Sequence, residues 1–230
     1  MSVLDPFRVV LLEPNGTLML GADRFGRSED FGATYAKLGG TALADHVVAR
    51  IVRETHARLA EIEGDRSRLD DFPHVAEVLS EIASEVSGEE RGLLEQVMAL
   101  HEVGTIPEEH AAWVRWLAER HELGLVSNVR SRKALWVSEL RRAGITDCFR
   151  WMLFSSDYRS VKPSARIFAL ALEAFEARPA ESVFVGADLD RDVLPAVALG
   201  MAGVWVDGAV KSDSRLLAVV PSVLAIDDAQ

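Results

Sequence analysis

Short apolar runs alternate with helical patterns from about residue 105 onward, and this alternation narrows the folds open to the chain. The candidate buried strands lie at 124–126, 151–154, 182–185 and 203–206. The intervening helical patterns cover 131–143, 164–177 and 189–199. Repeated strand–helix units of this length predict an α/β fold built on a doubly wound, parallel, Rossmann-like sheet.

The first predicted strand, at 8–12, stands apart from the others because a long helical region follows it. Apolar residues at helical spacing recur between 28 and 102, as at Val75, Val78 and Leu79. Glycines divide this region into separate helices. We therefore expect an α/β core formed by residues 1–18 and 103–230, with an all-helical cap at 19–102 inserted after the first strand.

Composition and charge exclude several classes of function. The 230 residues carry a net charge of −11, whereas a protein that binds a nucleic-acid backbone needs a basic face. No apolar run approaches the ~20 residues that span a membrane. Cys148 is the single cysteine, so an internal disulfide is excluded, and the expected location is the cytoplasm. We expect neither a nucleic-acid nor a membrane partner.

Polar residues follow four of the predicted strands, where open α/β sheets place their ligands. The four loops are Glu13–Thr17, Ser127-Asn128, Lys162-Pro163 and the acidic stretch 186–192. Together they offer the groups that phosphoryl transfer needs. A carboxylate can attack phosphorus, while a hydroxyl, amides and a lysine hold the phosphoryl oxygens. Acidic side chains can hold Mg²⁺.

The order and placement of these loops resemble the haloacid dehalogenase superfamily, in its branch with a helical cap after the first motif. The family's first motif, Asp-x-Asp-x-Thr, corresponds to Glu13-Pro14-Asn15-Gly16-Thr17. Its Ser or Thr motif matches Ser127, and its Lys motif matches Lys162. Its usual Gly-Asp-x-x-x-x-Asp becomes Gly186-Ala187 followed by Asp192 after four further residues. The resemblance extends from Val9 to about Gly208.

Three departures from the family motifs fall on chemically central positions. Glu13 replaces the nucleophilic Asp, and its extra methylene moves the carboxylate by roughly one C–C bond, ~1.5 Å. Displacement of about 1 Å can already cost on the order of a hundredfold in rate. Asn15 replaces the acid/base Asp, a role typically worth ~10²–10⁴-fold. Ala187 replaces a metal ligand. The first and fourth motifs are therefore degenerate.

The resemblance implies a role for each remaining motif residue. Glu13, Asn15 and Lys162 are the expected catalytic residues. Thr17, Ser127 and Asn128 are expected to bind phosphate or substrate. Mg²⁺ would be held by oxygens of Glu13, Asn15, Asp188 and Asp192, with the Asn15 backbone carbonyl as one ligand. The implied substrate is a small molecule that carries a phosphate.

Each feature also has a purely structural explanation. Glu13 and Asn15 can cap a turn, and Asp188 with its acidic neighbours can favour a helix N-terminus through the helix dipole. The basic residues Arg130, Arg132 and Lys133 can attract a phosphate, but a solvated helix start is the favoured interpretation. The six histidines lack metal-ligand spacing and are expected on helix surfaces.

Two functional hypotheses follow from the sequence, with a third ranked below them. The first is a phosphatase-like hydrolase with weak or atypical activity on a phosphorylated small molecule. The alternative is a catalytically silent relative that binds a phosphorylated ligand or a protein partner. Dehalogenation, which needs no metal, ranks last because Glu13 again replaces the nucleophile. Oligomeric state is left open.

Overall fold

The computed structural model describes residues 2–207 and 216–227, and a parallel sheet organises them. The six strands within these ranges are β1 Val9–Leu12, β2 Glu122–Ser127, β3 Phe149–Phe154, β4 Ser182–Gly186, β5 Ala202–Val206 and β6 Ala218–Val220. Their order across the sheet is β3-β2-β1-β4-β5-β6, with every pairing parallel. The predicted α/β, Rossmann-like fold is confirmed. All five predicted strands lie within the described residues, whereas Gly208, the predicted end of the family resemblance, lies outside them.

The strand order reverses at β1, which lies between β2 and β4. All four residues of β1 are buried, because helices cover both faces of the sheet. One apolar cluster, which includes Val10 and Leu12, fills one face. A second, which includes Val9 and Leu11, fills the other. Alternate side chains of β1 therefore pack into the apolar clusters on opposite faces of the sheet. The carboxyl end of β1 lies at the switch point, where ligands bind in such folds.

The chain between β1 and β2 is helical. The helices are α1 Phe31–Lys37, α2 Asp45–Gly64, α3 Val75–Ile82, α4 Gly88–Glu102 and α5 Glu108–Ala118. The first four, which we call the helical insertion, share an apolar cluster of their own. Val161, from the loop that carries Lys162, also belongs to this cluster. We call the strands, with the loops and helices that follow β2, the sheet domain. The insertion is therefore packed directly against a loop of the sheet domain.

Three α-helices follow β2 within the described residues, namely α6 Ala134–Arg142, α7 Ala165–Ala174 and α8 Leu194–Ala198. The predicted helix at 189–199 begins instead with a wide π turn over Leu189–Val193. The predicted helix at 131–143 begins three residues later. None of the helices in the described ranges combines the length and apolarity needed to cross a membrane.

Candidate active site at the carboxyl edge of the sheet

The first loop holds Glu13 in a buried and fully bonded position. Glu13 is 1% exposed, and its backbone N–H donates to the Val185 carbonyl at 3.0 Å. Its Oε1 accepts hydrogen bonds from the Asn15 backbone N–H at 3.0 Å and from the Ser127 hydroxyl at 3.2 Å. Gly16 has φ of +79°, a conformation that a side chain would strain, so glycine permits the tight turn. The carboxylate is aimed into the sheet edge by its own loop.

Lys162 connects two of the loops through its ammonium group. Its Nζ donates to Glu13 Oε2 and to the Val126 carbonyl at 3.1 Å, and it lies 2.9 Å from Asp192 Oδ1. The side chain is fully buried, which lowers its pKa to about 8, while the Asp192 carboxylate opposes that shift. Lys162 is therefore still mostly protonated at neutral pH. We call Glu13, Lys162 and Asp192 the inner cluster.

Asp192 and Asp188, both predicted metal ligands, have different surroundings. Asp192 is fully buried, and a Cβ at Gly186 would lie 2.5 Å from the Asp192 Cβ, so glycine there makes room for it. Its Oδ2 accepts from the Asp188 backbone N–H at 3.1 Å. The Asp188 carboxylate instead accepts from the backbone N–H groups of Asp190 and Arg191 at 3.1 and 2.9 Å. Asp188 thus caps its own turn.

The predicted phosphate-binding residues divide into two groups. Thr17 and Ser127 are both buried, and Ser127 bonds to Glu13. Within the described ranges, the Thr17 hydroxyl and the Asn15 Oδ1 have no hydrogen-bond partner. Buried polar atoms without partners are costly, and a bound ligand would satisfy them. Asn128 is already committed, because it accepts from the Lys162 backbone N–H at 2.8 Å and donates to the Lys162 carbonyl at 3.0 Å.

A second set of charges lies just outside the inner cluster, and sequence reasoning missed most of it. Glu63, near the end of α2, accepts from Arg130 Nη2 at 2.8 Å and from Asn128 Nδ2 at 3.1 Å. Arg191 Nη1 lies 3.7 Å from the same carboxylate. We call Glu63, Arg130 and Arg191 the outer cluster. The favoured interpretation of Arg130 as a solvated residue was wrong, since its side chain is only 16% exposed.

Glu102 is a further buried carboxylate, and no motif in the sequence singles it out. It accepts hydrogen bonds from the backbone N–H groups of Arg130 and Ser131 at 2.7 and 3.1 Å. Burial raises its pKa to about 7, and the Arg130 charge opposes that shift. Glu102 is the last residue of α4, where the helical insertion ends, and its two hydrogen bonds fix the loop after β2.

The expectation that the histidines lie on helix surfaces is wrong for His101 and His110, which are buried.

The space inside the site is very small. The cavity lined by Glu13, Asn15, Glu63, Arg130 and Arg191 has a volume of about 10 Å³, which is about the size that one water molecule needs. A second cavity, of about 790 Å³, is partly lined by Arg130. A third, of about 380 Å³, is partly lined by Asn15 and Arg191. The site itself is closed, and both larger cavities share residues with it.

The donor set as arranged does not fit Mg²⁺. The Lys162 ammonium bridges Glu13 and Asp192, so a cation already neutralises these two carboxylates. Asp188 is engaged by backbone N–H groups, and Ala187 offers no side-chain oxygen. Across the described ranges, no group of three or more His, Cys, Asp or Glu side chains is placed to hold a metal ion. Metal binding at this site would require Lys162 to give up one of its partners.

Fold and site together define a class of protein, a parallel α/β fold with a helical insertion after its first strand and a charged site at the carboxyl edge of its sheet. Within that class, a family model described as haloacid dehalogenase-like hydrolase matches residues 13–200. The chain therefore belongs to the haloacid dehalogenase-like hydrolase family. The match confirms the resemblance recognised from the four motifs. The residues that depart from those motifs, Glu13, Asn15 and Ala187, lie within the matched region.

Relatives with assigned activities match part of the chain. A ribulose-1,5-bisphosphate 5-phosphatase from Halopiger xanaduensis is 27% identical over 50% of this chain and 47% of its own length. A phosphoserine phosphatase from Thermus thermophilus is 32% identical over 42% of this chain and 39% of its own. The matched regions span less than half the length of these relatives.

Solved structures match nearly the whole chain at low identity, and so bear on the fold alone. A phosphatase of the family from Thermococcus onnurineus has a TM-score of 0.66 and 20% identity, covering 96% of this chain and 97% of its own. A 2-haloacid dehalogenase from Pseudomonas syringae has the same TM-score with 21% identity, again covering 96% and 97%.

Proposed function

We propose that this protein is a phosphatase-like hydrolase with weak or atypical activity on a phosphorylated small molecule. The observation that carries the proposal is the convergence of Glu13, Ser127, Lys162 and Asp192, from four separate loops, in one buried site. The phosphatases that match part of the chain add support to a phosphorylated substrate.

The chemistry proposed for the site runs through the Glu13 carboxylate. One of its oxygens attacks phosphorus as the bond from phosphorus to the substrate oxygen breaks, which leaves a phosphoryl group on Glu13. Thr17, Ser127 and Lys162 hold the phosphoryl oxygens. The leaving oxygen must take its proton from water, because the Asn15 amide cannot supply one. Water then releases phosphate from Glu13. Loss of the acid/base carboxylate makes both steps slow.

Magnesium remains an expectation from the family only, because the donor set as arranged does not fit the ion. When bound, the ion would neutralise charge on the phosphoryl group. The groups that would hold it are the carboxylates of Glu13 and Asp192 and the backbone carbonyl of Asn15. Since Lys162 now occupies two of these partners, we expect weak Mg²⁺ dependence, and we expect Ala187→Asp to strengthen it.

Phosphate release tests the proposed hydrolysis. The wild-type protein, at high concentration, is assayed against a panel of phosphorylated small molecules with Mg²⁺ and with chelator. We expect slow release that falls at least tenfold in Ser127→Ala and is unchanged in Lys133→Ala, whose lysine pairs with Asp157 on the surface. The double variant Glu13→Asp/Asn15→Asp should be faster by about 10²-fold or more. A panel with no release above buffer would overturn the proposal.

One observation favours the alternative of a silent binding protein. Both carboxylate oxygens of Glu13 are already engaged, by Asn15, Ser127 and Lys162, so neither is free to attack. A silent relative would bind a phosphorylated ligand or a protein partner without turnover. Thermal-shift screening would then find a ligand on which the wild type releases no phosphate. Equal phosphate release by the wild type and by Glu13→Asp/Asn15→Asp would exclude this alternative.

We propose a core of residues 1–18 and 103–230 and a cap of residues 19–102 that selects the substrate. A cytoplasmic location rests on the single cysteine.

A further inference from the structure

Glu63 reaches from the helical insertion into the sheet domain and is held there as a bound anion would be. Its Oε1 accepts from Asn128 Nδ2 at 3.1 Å, and Arg191 Nη1 lies 3.7 Å from the same oxygen. Its Oε2 accepts from Arg130 Nη2 at 2.8 Å. One amide and two guanidinium groups therefore converge on a single carboxylate, which is 14% exposed. Such donors match the geometry of carboxylates and phosphates.

The three donors would keep their places without Glu63. Asn128 is fixed by two hydrogen bonds to the Lys162 backbone. The backbone of Arg130 is fixed by Glu102, and its side chain also reaches Asp23 at 3.3 Å. All three donors lie in loops after β2 and β4. The receptor therefore belongs to the sheet domain, whereas its occupant belongs to the insertion.

The charges around Glu63 determine which ligand group can take the place of its carboxylate. Arg191 also lies 3.8 Å from Asp188 and 3.6 Å from Asp192, so the two arginines are shared with other carboxylates. Because Glu63 contributes one negative charge, an external group with one negative charge keeps the balance unchanged. A dianion would add repulsion from Asp23 and its neighbours. The preferred ligand group is thus a carboxylate or a singly charged phosphate.

Space for a ligand exists only if Glu63 leaves. The cavity at the carboxylate is about 10 Å³, too small for a phosphate group. The adjoining cavity of about 790 Å³ reaches Arg130, and that of about 380 Å³ reaches Arg191. A small molecule can therefore approach the two arginines from outside and compete with Glu63 for them.

We propose that Asn128, Arg130 and Arg191 form a binding site for a small oxyanion, and that Glu63 is a built-in competitor that the ligand displaces. Displacement releases the end of α2 from the sheet domain. The site goes beyond the proposed hydrolysis, because it binds its ligand whether or not the protein turns over a substrate. Its failure and the failure of the hydrolase proposal are therefore separate results.

Calorimetric titration with inorganic phosphate at pH 6, at constant ionic strength, tests the site. At that pH most of the phosphate carries a single charge. We expect Glu63→Ala to bind phosphate at least tenfold more tightly than the wild type, with Glu63→Gln between them. The matched control is Glu61→Gln on the same helix, whose side chain is 70% exposed and pairs with Arg58. It should bind as the wild type does.

A triple variant and a second readout test the proposal further. Adding Arg130→Met and Arg191→Met to Glu63→Ala should abolish the gain in affinity. In the wild type, phosphate should speed backbone hydrogen exchange at residues 60–64 and leave α7 unchanged. Equal affinity of the wild type and both Glu63 variants would overturn the proposal, as would a gain that survives loss of both arginines.

Discussion

The inner and outer clusters use the same chemistry, carboxylates held by cations, yet they differ in burial and in attachment. The side chains of Glu13, Lys162 and Asp192 are at most 2% exposed, and all three lie on loops of the sheet domain. In the outer cluster, Glu63 comes from the insertion, and Arg191 is 31% exposed. A fully buried pair cannot exchange a partner without leaving an uncompensated charge in the interior. A partly exposed cation with several carboxylate neighbours, such as Arg191, can.

The choice of cation follows the same division. Lys162 is compact and can bridge two carboxylates at a point where three loops meet. Arg130 and Arg191 present planar groups with several donors, which suits the recognition of an oxyanion that comes and goes. The inner cluster therefore holds the site together, and the outer cluster is the part where we propose that Glu63 is displaced.

The largest effect should come from breaking the inner cluster. Lys162→Met leaves Glu13 and Asp192 buried without a cation, and we expect the free energy of unfolding to fall by about 3–5 kcal/mol. Urea unfolding measures it. The exposed control Lys133→Met should cost less than about 1 kcal/mol. Adding Glu13→Gln to Lys162→Met should recover part of the loss. A cost equal to that of the control would contradict the buried ion pair.

The next effect concerns Glu102, which fixes the loop between the two clusters. Its pKa of about 7 in the folded protein lies above the ordinary 4.5, so the folded state binds the proton between these values while the unfolded chain does not. The free energy of unfolding should therefore decrease as the pH rises from about 4.5 to 7, by at most about 3 kcal/mol from this group.

Glu102→Gln isolates this contribution, because the amide resembles the protonated acid. Thermal unfolding of both proteins at pH 5 and pH 8 gives the comparison. The variant should gain stability relative to the wild type as the pH rises. A difference between the two proteins that is constant across this range would show that Glu102 does not titrate there.

Asn128 joins the two clusters, and its removal should have an intermediate effect. Asn128→Ala deletes two hydrogen bonds to the Lys162 backbone and one to Glu63. We expect a loss of about 1–3 kcal/mol in urea unfolding, because the Lys162 N–H is left unpaired. Asn128→Asp keeps the acceptor for that N–H and should separate the contact with Lys162 from the contact with Glu63. No loss in Asn128→Ala would argue against its bridging role.

The smallest effect on stability should come from the outer cluster. Glu63→Ala removes a largely buried carboxylate, but Arg130 keeps Asp23 as a partner and Arg191 keeps Asp188, so we expect a cost of only about 1 kcal/mol. Unfolding in low and in high salt measures it, and the difference between the proteins should shrink as salt screens the charges. A cost as large as that of Lys162→Met would erase the distinction between the two clusters.

The sequence predicted the parts of the site that local pattern controls. Glu13, Ser127, Lys162 and Asp192 each follow a strand or enter a helix, so the parallel sheet brings them to one edge. Asp188 was predicted as a metal ligand, but its carboxylate bonds to nearby backbone groups, as short polar side chains often do. This competing local contact is visible only with coordinates.

Glu63 and Glu102 could not be predicted, since their roles depend on contacts across long stretches of chain. The partners of Glu63 lie 65 and 67 residues away, and those of Glu102 lie 28 and 29 away. No spacing rule connects such pairs. Arg130 was misjudged for the same reason, because only the packing of the insertion removes it from solvent.

One consequence follows from the neighbours of Lys162. Val161 lies in the apolar cluster of the insertion, and its backbone N–H donates to the Leu69 carbonyl at 2.9 Å. The next residue along the chain carries the ammonium that neutralises Glu13 and Asp192. A change in the position of the insertion would therefore move Val161 and, with it, the ammonium group of Lys162. The position of this charge thus depends on how the insertion packs as well as on the carboxylates that surround it.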